Sequence, residues 1–333
     1  MKYLIPFLLL ILIACQTVPQ EKVSENFVPR KNYQARLEPA DGVLHGAGQD
    51  FDSFIKYTEV LGKKHYPVIY MDYIGLIKED DGVQKWGEKL KAELAQMPAD
   101  VMPQIGLNLT AGNDDGSGQD SLVASGAYDP AINVFVEALQ SLGRPAFVRI
   151  GYEFEGSWNG YTPSTYVAVF KRITDAMRAA KVNAATVWCA AGGSAGFIPL
   201  DSLAQYYPGD EYVDWWGIDV FSPEEITHPR LIEFLEWADE HQKPVMLGEC
   251  TPRYVGVMDG KVSWDKWFGP FFNLIEQRPQ IKAFCYINWD WVYWSDELGF
   301  QWHDWKDARI ELDEYVSMAY QAEMKKPFYI HVP

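Results

Sequence analysis

Short apolar runs alternate along this chain with longer stretches in which apolar residues return every three or four positions. The runs predict strands at residues 43–45, 67–71, 102–107, 146–150, 185–189, 213–220, 245–247 and 281–287. The longer stretches predict helices at 51–61, 85–97, 130–142, 164–180, 231–241, 264–277 and 308–324, with only a weakly helical stretch after the fifth strand. In residues 164–180, for instance, Tyr166, Phe170, Ile173 and Met177 fall on one helical face. Eight strands alternating with helices predict a parallel α/β architecture. The number favours a closed (β/α)8 TIM barrel of one domain, residues 36–333, over a doubly wound sheet. No glycine-rich phosphate fingerprint follows the first strand.

Two glutamates stand where predicted strands end. Glu153 follows the run 146–150, and Glu249 follows 245–247. In a barrel both ends open onto the face that carries catalysis. Two facing carboxyls there suit cleavage of a glycosidic bond, retaining at a separation of roughly 5–5.5 Å and inverting at roughly 6.5–9.5 Å. The neighbours fit divided roles. Tyr152, Phe154 and Trp158 would desolvate Glu153 and favour its protonated form, while Arg149 or Arg253 would hold Glu249 as a carboxylate. Glu155 shares strand parity with Glu153 and is its rival for the acid role.

The segment Tyr152-Glu-Phe-Glu-Gly-Ser-Trp158 resembles the fourth-strand motif His-Glu-Met-Asn-Gly-x-Trp of glycoside hydrolase family 26, the β-mannanases and their relatives in clan A. The likeness extends in layout to residues 213–219 on strand six and to Asn288 and Trp289 after strand eight. It implies Glu153 as acid/base and Glu249 as nucleophile of a retaining endo-glycosidase acting on a mannan, xylan or glucan type of β-linked polysaccharide or its oligosaccharides. Tyr152 stands at the family's histidine, Glu155 at its asparagine, and Phe221 where a tyrosine is common. The resemblance therefore implies a divergent member and carries no mannan specificity. A transglycosylase on the same scaffold and a catalytically silent glycan-binding lipoprotein stay open as alternatives.

Sugar rings present C–H faces that pack on aromatic rings. The chain holds 13 tryptophans, several of them crowded after predicted strands: Trp158, Trp289, Trp291, Trp294, Trp302 and Trp305. Trp158 and Trp289 adjoin the proposed catalytic ends and are expected to bind substrate. Tyr152, Glu155, Asp219, Asn288 and His45 are further candidates, each placed at or beside a predicted strand end. A net charge of −17 disfavours nucleic acid as a partner. No Cys/His spacing suggests zinc, and two carboxylates with water need no cofactor. The loop at residues 110–128 carries Asn113, Asp114, Asp115 and Asp120, without the spacing of an EF-hand, and reads as solvated.

The first residues have a charged start and an apolar middle too short to span a bilayer as a mature helix. Leu12-Ile-Ala-Cys15 resembles a bacterial lipobox, which implies a signal peptide over residues 1–14 and lipid on Cys15. A polar tether over residues 15–35 would then carry a monomeric, extracytoplasmic enzyme, with Gln16 pointing to the outer membrane. Cys189, Cys250 and Cys285 sit in or beside apolar runs and are expected as buried free thiols, with one disulfide as the alternative.

Overall fold

The computed structural model describes residues 28–76, 81–110 and 117–333. Strands β1 (Val43–Gly48), β2 (Ile69–Gly75), β3 (Met102–Asn108), β4 (Ala146–Ile150), β5 (Ala184–Ala190), β6 (Trp215–Val220), β7 (Val245–Cys250) and β8 (Ile281–Ile287) pair in sequence order, all parallel. β1 joins both β2 and β8, so the sheet closes into a barrel. The predicted (β/α)8 architecture is the one observed.

The intervening helices form where capping and apolar spacing agree. In Phe51–Leu61, Asp50 accepts from the backbone N–H of Ser53, and Phe54, Tyr57, Thr58 and Leu61 are buried along one face. Pro163 opens Pro163–Ala179, where it forfeits no helical hydrogen bond, and Tyr166, Val169, Phe170, Ile173, Thr174 and Met177 turn inward. After β5 the chain makes only a 3-10 turn and the short helix Leu200–Ala204.

Three departures from the predicted elements bear on function. β1 runs on to Gly48, which leaves His45 inside the strand rather than at its end. Its ring is fully buried under the helix Phe51–Leu61, 2.6 Å from the Tyr57 hydroxyl and 3.1 Å from His331 Nδ1, and burial lowers its pKa. β7 runs on to Cys250 and so contains Glu249. A single helix was expected to follow β8, yet the helix Trp291–Leu298 and two 3-10 turns come before Glu314–Glu323. A ninth strand, Tyr329–Ile330, adds to β1 outside the barrel.

The barrel's packing also reaches into the expected tether. Arg30 Nη1 donates to Arg278 O at 2.7 Å, and the Tyr33 hydroxyl donates to Asp239 at 2.8 Å. Cys189, Cys250 and Cys285 are free and buried. Cys15 and residues 113–115 lie outside the described residues, while Asp120 is buried and accepts from Thr162 N–H at 2.8 Å.

Candidate active site

β4 stops at Ile150 and the chain turns through two left-handed residues, Gly151 (φ 56°) and Glu153 (φ 53°). Glycine is required at the first, because a Cβ there would meet the Tyr166 ring at 2.8 Å as well as the unfavourable φ. At Glu153 the same conformation costs about 1 kcal/mol or more and persists only where surrounding contacts impose it. Those contacts are present. Glu153 N–H donates to Cys189 O at 2.8 Å, its carbonyl accepts from Gly156 N–H at 2.9 Å, and Asn159 Nδ2 donates to the carbonyls of both Tyr152 and Glu153. Trp158 Nε1 donates to Glu153 Oε2 at 2.9 Å and fixes the carboxyl. Burial first, then the negative fields of Glu249 and Asp219, push the Glu153 carboxyl well above the usual carboxylate range against the pull of Arg149. It is the group poised to hold a proton.

Glu249 is positioned by a different device. Leu247 pairs with Phe284 and Cys250 with Tyr286, so three steps on β7 face two on β8. That bulge falls on Gly248 and Glu249 and re-aims the side chain at the barrel mouth. Arg149, fully buried on β4, reaches across the barrel with both terminal nitrogens: Nη1 to Glu249 Oε1 and Nη2 to Asp219 Oδ2, each at 2.7 Å. Gly248 makes room for this, since a Cβ there would stand 2.7 Å from Asp219 Oδ1 and 3.0 Å from Arg149 Nε. The Tyr152 ring covers the guanidinium at 4.7 Å. Burial pushes the Asp219 carboxyl up, opposed by Arg149 and reinforced by Glu249. One guanidinium thus serves Glu249 and Asp219, while Glu153 has no ion-pair partner among the described residues.

Glu153 and Glu249 open into one cleft of about 740 Å³ at the C-terminal ends of the strands. Tyr152, Trp158 and Trp289 line it as well. Asp219 is buried and is not among the residues that line this cleft. Asn288 is fully buried, donating to Glu311 and accepting from Ile310 N–H at 2.9 Å, and pins the segment after β8 instead of facing sugar. Glu155 also points away: its Oε1 accepts from the N–H groups of Ala191 and Gly192 at 2.8 and 3.2 Å, and burial pushes it up to about 7. Two residues of extended strand would have kept Glu153 and Glu155 on one side; the left-handed turn separates them. Arg253 is engaged by Asp304 at 2.6 Å rather than by Glu249. Together with His45, these are the sequence expectations that the geometry corrects.

Several cleft residues carried no signal in the sequence. Tyr73 arrives from β2 beside Tyr152, with ring centroids 5.6 Å apart, and Asn159 holds the Glu153 backbone while lining the same wall. Only the fourth-strand motif's proximity to Asn159 could have drawn attention to it.

A family model described as glycosyl hydrolase family 26 matches residues 114–259, a span that includes both glutamates. The chain resembles glycosyl hydrolase family 26 as a divergent relative, the match covering less than half of its length. Two curated relatives share 27% identity with it over 89% of its length, a "Beta-1,3-xylanase" from Alcaligenes sp. and "Beta-1,3-xylanase TXYA" from Vibrio sp.. The chain spans 66% and 67% of their respective lengths. Among solved structures, a modular endo-β-1,4-mannanase from Cellulomonas fimi superposes with a TM-score of 0.62 at 17% identity, covering 87% of this chain and 72% of that one. GH26C from Muricauda sp. gives 0.62 at 14% identity, covering 88% of each. These family 26 structures share the barrel. Tyr152 and Glu155 have specific local duties: one caps Arg149, and the other ties the fourth-strand loop to the fifth.

Proposed function

We propose that this chain is a retaining endo-glycosidase, with Glu249 as nucleophile and Glu153 as acid/base. The observation that carries the reading is the pair itself: one carboxyl ion-paired to a buried arginine, the other lifted toward its protonated form, both in one aromatic cleft. In the first step Glu249 attacks the anomeric carbon while Glu153 gives its proton to the departing glycosidic oxygen. In the second, Glu153 takes a proton from water, which attacks the same carbon and releases Glu249. Arg149 stabilises the returning carboxylate, and Trp158 keeps Glu153 aimed at the oxygen it protonates.

β-1,3-xylan is the first substrate to test, on the strength of the two curated relatives; β-1,4-xylan, β-mannan and β-glucan complete the set. Release of reducing ends from one of them, with the product anomer first seen by NMR matching the configuration of the bond cleaved, is the expected result. An initially inverted anomer would exclude the double displacement, and no release from any of the four would exclude the activity.

We further propose that Cys15 carries lipid and tethers the barrel to a bacterial membrane. Fatty-acid labelling of the wild type should be absent from Cys15→Ser. Equal labelling of both proteins would remove the anchor.

A further inference from the structure

After β8 the chain leaves the barrel at Asp290 and returns at Asp307, where the two residues form an antiparallel bridge. Arg309 locks this base, its Nη2 lying 2.7 Å from Asp290 and 2.6 Å from Asp307. Asp290 caps the helix Trp291–Leu298, and Gly299 (φ 73°) ends it. The excursion carries apolar side chains both outward and toward the cleft. Val292, Tyr293, Leu298 and Phe300 expose 36, 51, 51 and 41% of their surface. Trp291, Phe300, Gln301, Trp302 and Trp305 line the cleft that holds the two glutamates.

The rings step outward in a continuous series. Trp289 meets Trp291 edge-on at 4.9 Å, and Trp291 meets Trp302 edge-on at 5.5 Å. Trp302 then lies nearly parallel to Phe300 at 4.2 Å and 18°. Trp291 is buried, Trp302 half-buried and Phe300 exposed, so the series ends at the rim with a ring that is supported from one side.

We propose that Phe300, backed by Trp302, is a stacking platform for a pyranose ring of the same glycan, remote from the bond that is cut. The proposal rests on the glycosidase reading and extends it to long chains as the substrate class. An exposed aromatic continuous with a cleft is unfavourable in water and gains when a sugar's C–H face covers it. Gln301, exposed beside Phe300, offers an amide to the ring's hydroxyls. A contact made equally in ground and transition states acts on KM rather than kcat.

The test compares Phe300→Ala, Phe300→Leu and Phe300→Tyr on the polysaccharide cleaved by the wild type and on an aryl β-glycoside of two sugar units. Phe300→Ala and Phe300→Leu should raise KM for the polysaccharide about three- to tenfold, the range of one aromatic contact, with a smaller loss on the aryl substrate. Phe300→Tyr should restore the wild-type KM. Equal losses on the two substrates, or an unchanged polysaccharide KM in Phe300→Ala, would overturn the platform. Should the wild type cleave none of the four polysaccharides, the glycosidase reading fails, and electrophoresis through gels containing each of them decides the platform separately. Retardation of the wild type relative to Phe300→Ala supports it, and identical mobility overturns it. Adsorption of the wild type to zwitterionic lipid vesicles, lost in Phe300→Ala, would also overturn it and assign the patch to a membrane surface.

Discussion

The ends of β4 and β7 each deliver one carboxyl to the same cleft by opposite means. Glu249 stays within its strand, shifted by a bulge and gripped by an ion pair with Arg149. Glu153 has left its strand, sits in a left-handed turn, and is held by backbone and indole hydrogen bonds, with no ion-paired cation among the described residues. A nucleophile must be charged before substrate arrives, so it needs a cation that cannot leave. An acid must part with its proton and later recover one, so it needs burial and neutral donors instead. On the proposed mechanism, the difference in local structure matches the difference in role.

The largest test removes one side of this contrast. Glu249→Ala should lower turnover on the order of 10⁴-fold or more, and azide should restore it as a glycosyl azide of inverted configuration because the anion fills the missing carboxylate's place. Mass spectrometry and NMR of the product decide it; azide rescue of Glu153→Ala with that same inverted product would exchange the assignments.

Next comes the cation. Arg149→Met leaves two carboxyls buried without their partner, so stability should fall by about 3–5 kcal/mol, as expected for a broken buried ion pair. Activity should fall with it by two or more orders of magnitude. Chemical denaturation and kcat measured on the same preparation check both, and a fully stable, active Arg149→Met would dissolve the contrast drawn above.

Glu153→Gln should reduce kcat about 10²- to 10⁴-fold on a polysaccharide. It should spare the first step on an aryl glycoside whose leaving group needs no protonation, which a burst of released phenol would report. In the wild type, the basic limb of kcat/KM should lie well above the ordinary glutamate range, since the acid is needed protonated and its pKa is raised. If Glu155→Gln alone reproduces the selective pattern, the acid is Glu155.

The smallest effect is expected at Glu155 itself. Its folded pKa of about 7 exceeds the ordinary value of 4.5 because burial penalises the charged form. The folded state therefore holds the extra proton between those values, and stability falls as pH rises through that window, then levels. Glu155→Gln removes the titration while keeping an acceptor for Ala191 and Gly192. Its melting temperature relative to wild type should thus rise by about 5 °C between pH 4.5 and pH 8. A constant difference across that range would show that Glu155 does not titrate there.

Period and composition made the barrel legible. Runs such as 146–150 and 281–287 coincide with β4 and β8, and Glu153 was visible because a carboxylate just after a buried strand is badly placed for a core and well placed for a cleft. Glu249 was found for the same reason, although its strand continues past it. The supporting side chains were harder. Asp219, Glu155 and Asn288 look like Glu153 in the sequence, each polar and near a strand end, yet each is spent on protein partners.

The sequence by itself determined the alternation of strands and helices, and with it the barrel, because burial on both faces of a strand or one face of a helix is a local demand on residue type. It also determined that two glutamates stand at the mouth. The tertiary structure alone decided which neighbours share charge, through which turn Glu153 parts from Glu155, and that the excursion from Asp290 to Asp307 raises an aromatic wall over the cleft. Those outcomes depend on distances between residues from different strands, such as Arg149 and Glu249, and spacing along one strand does not encode them.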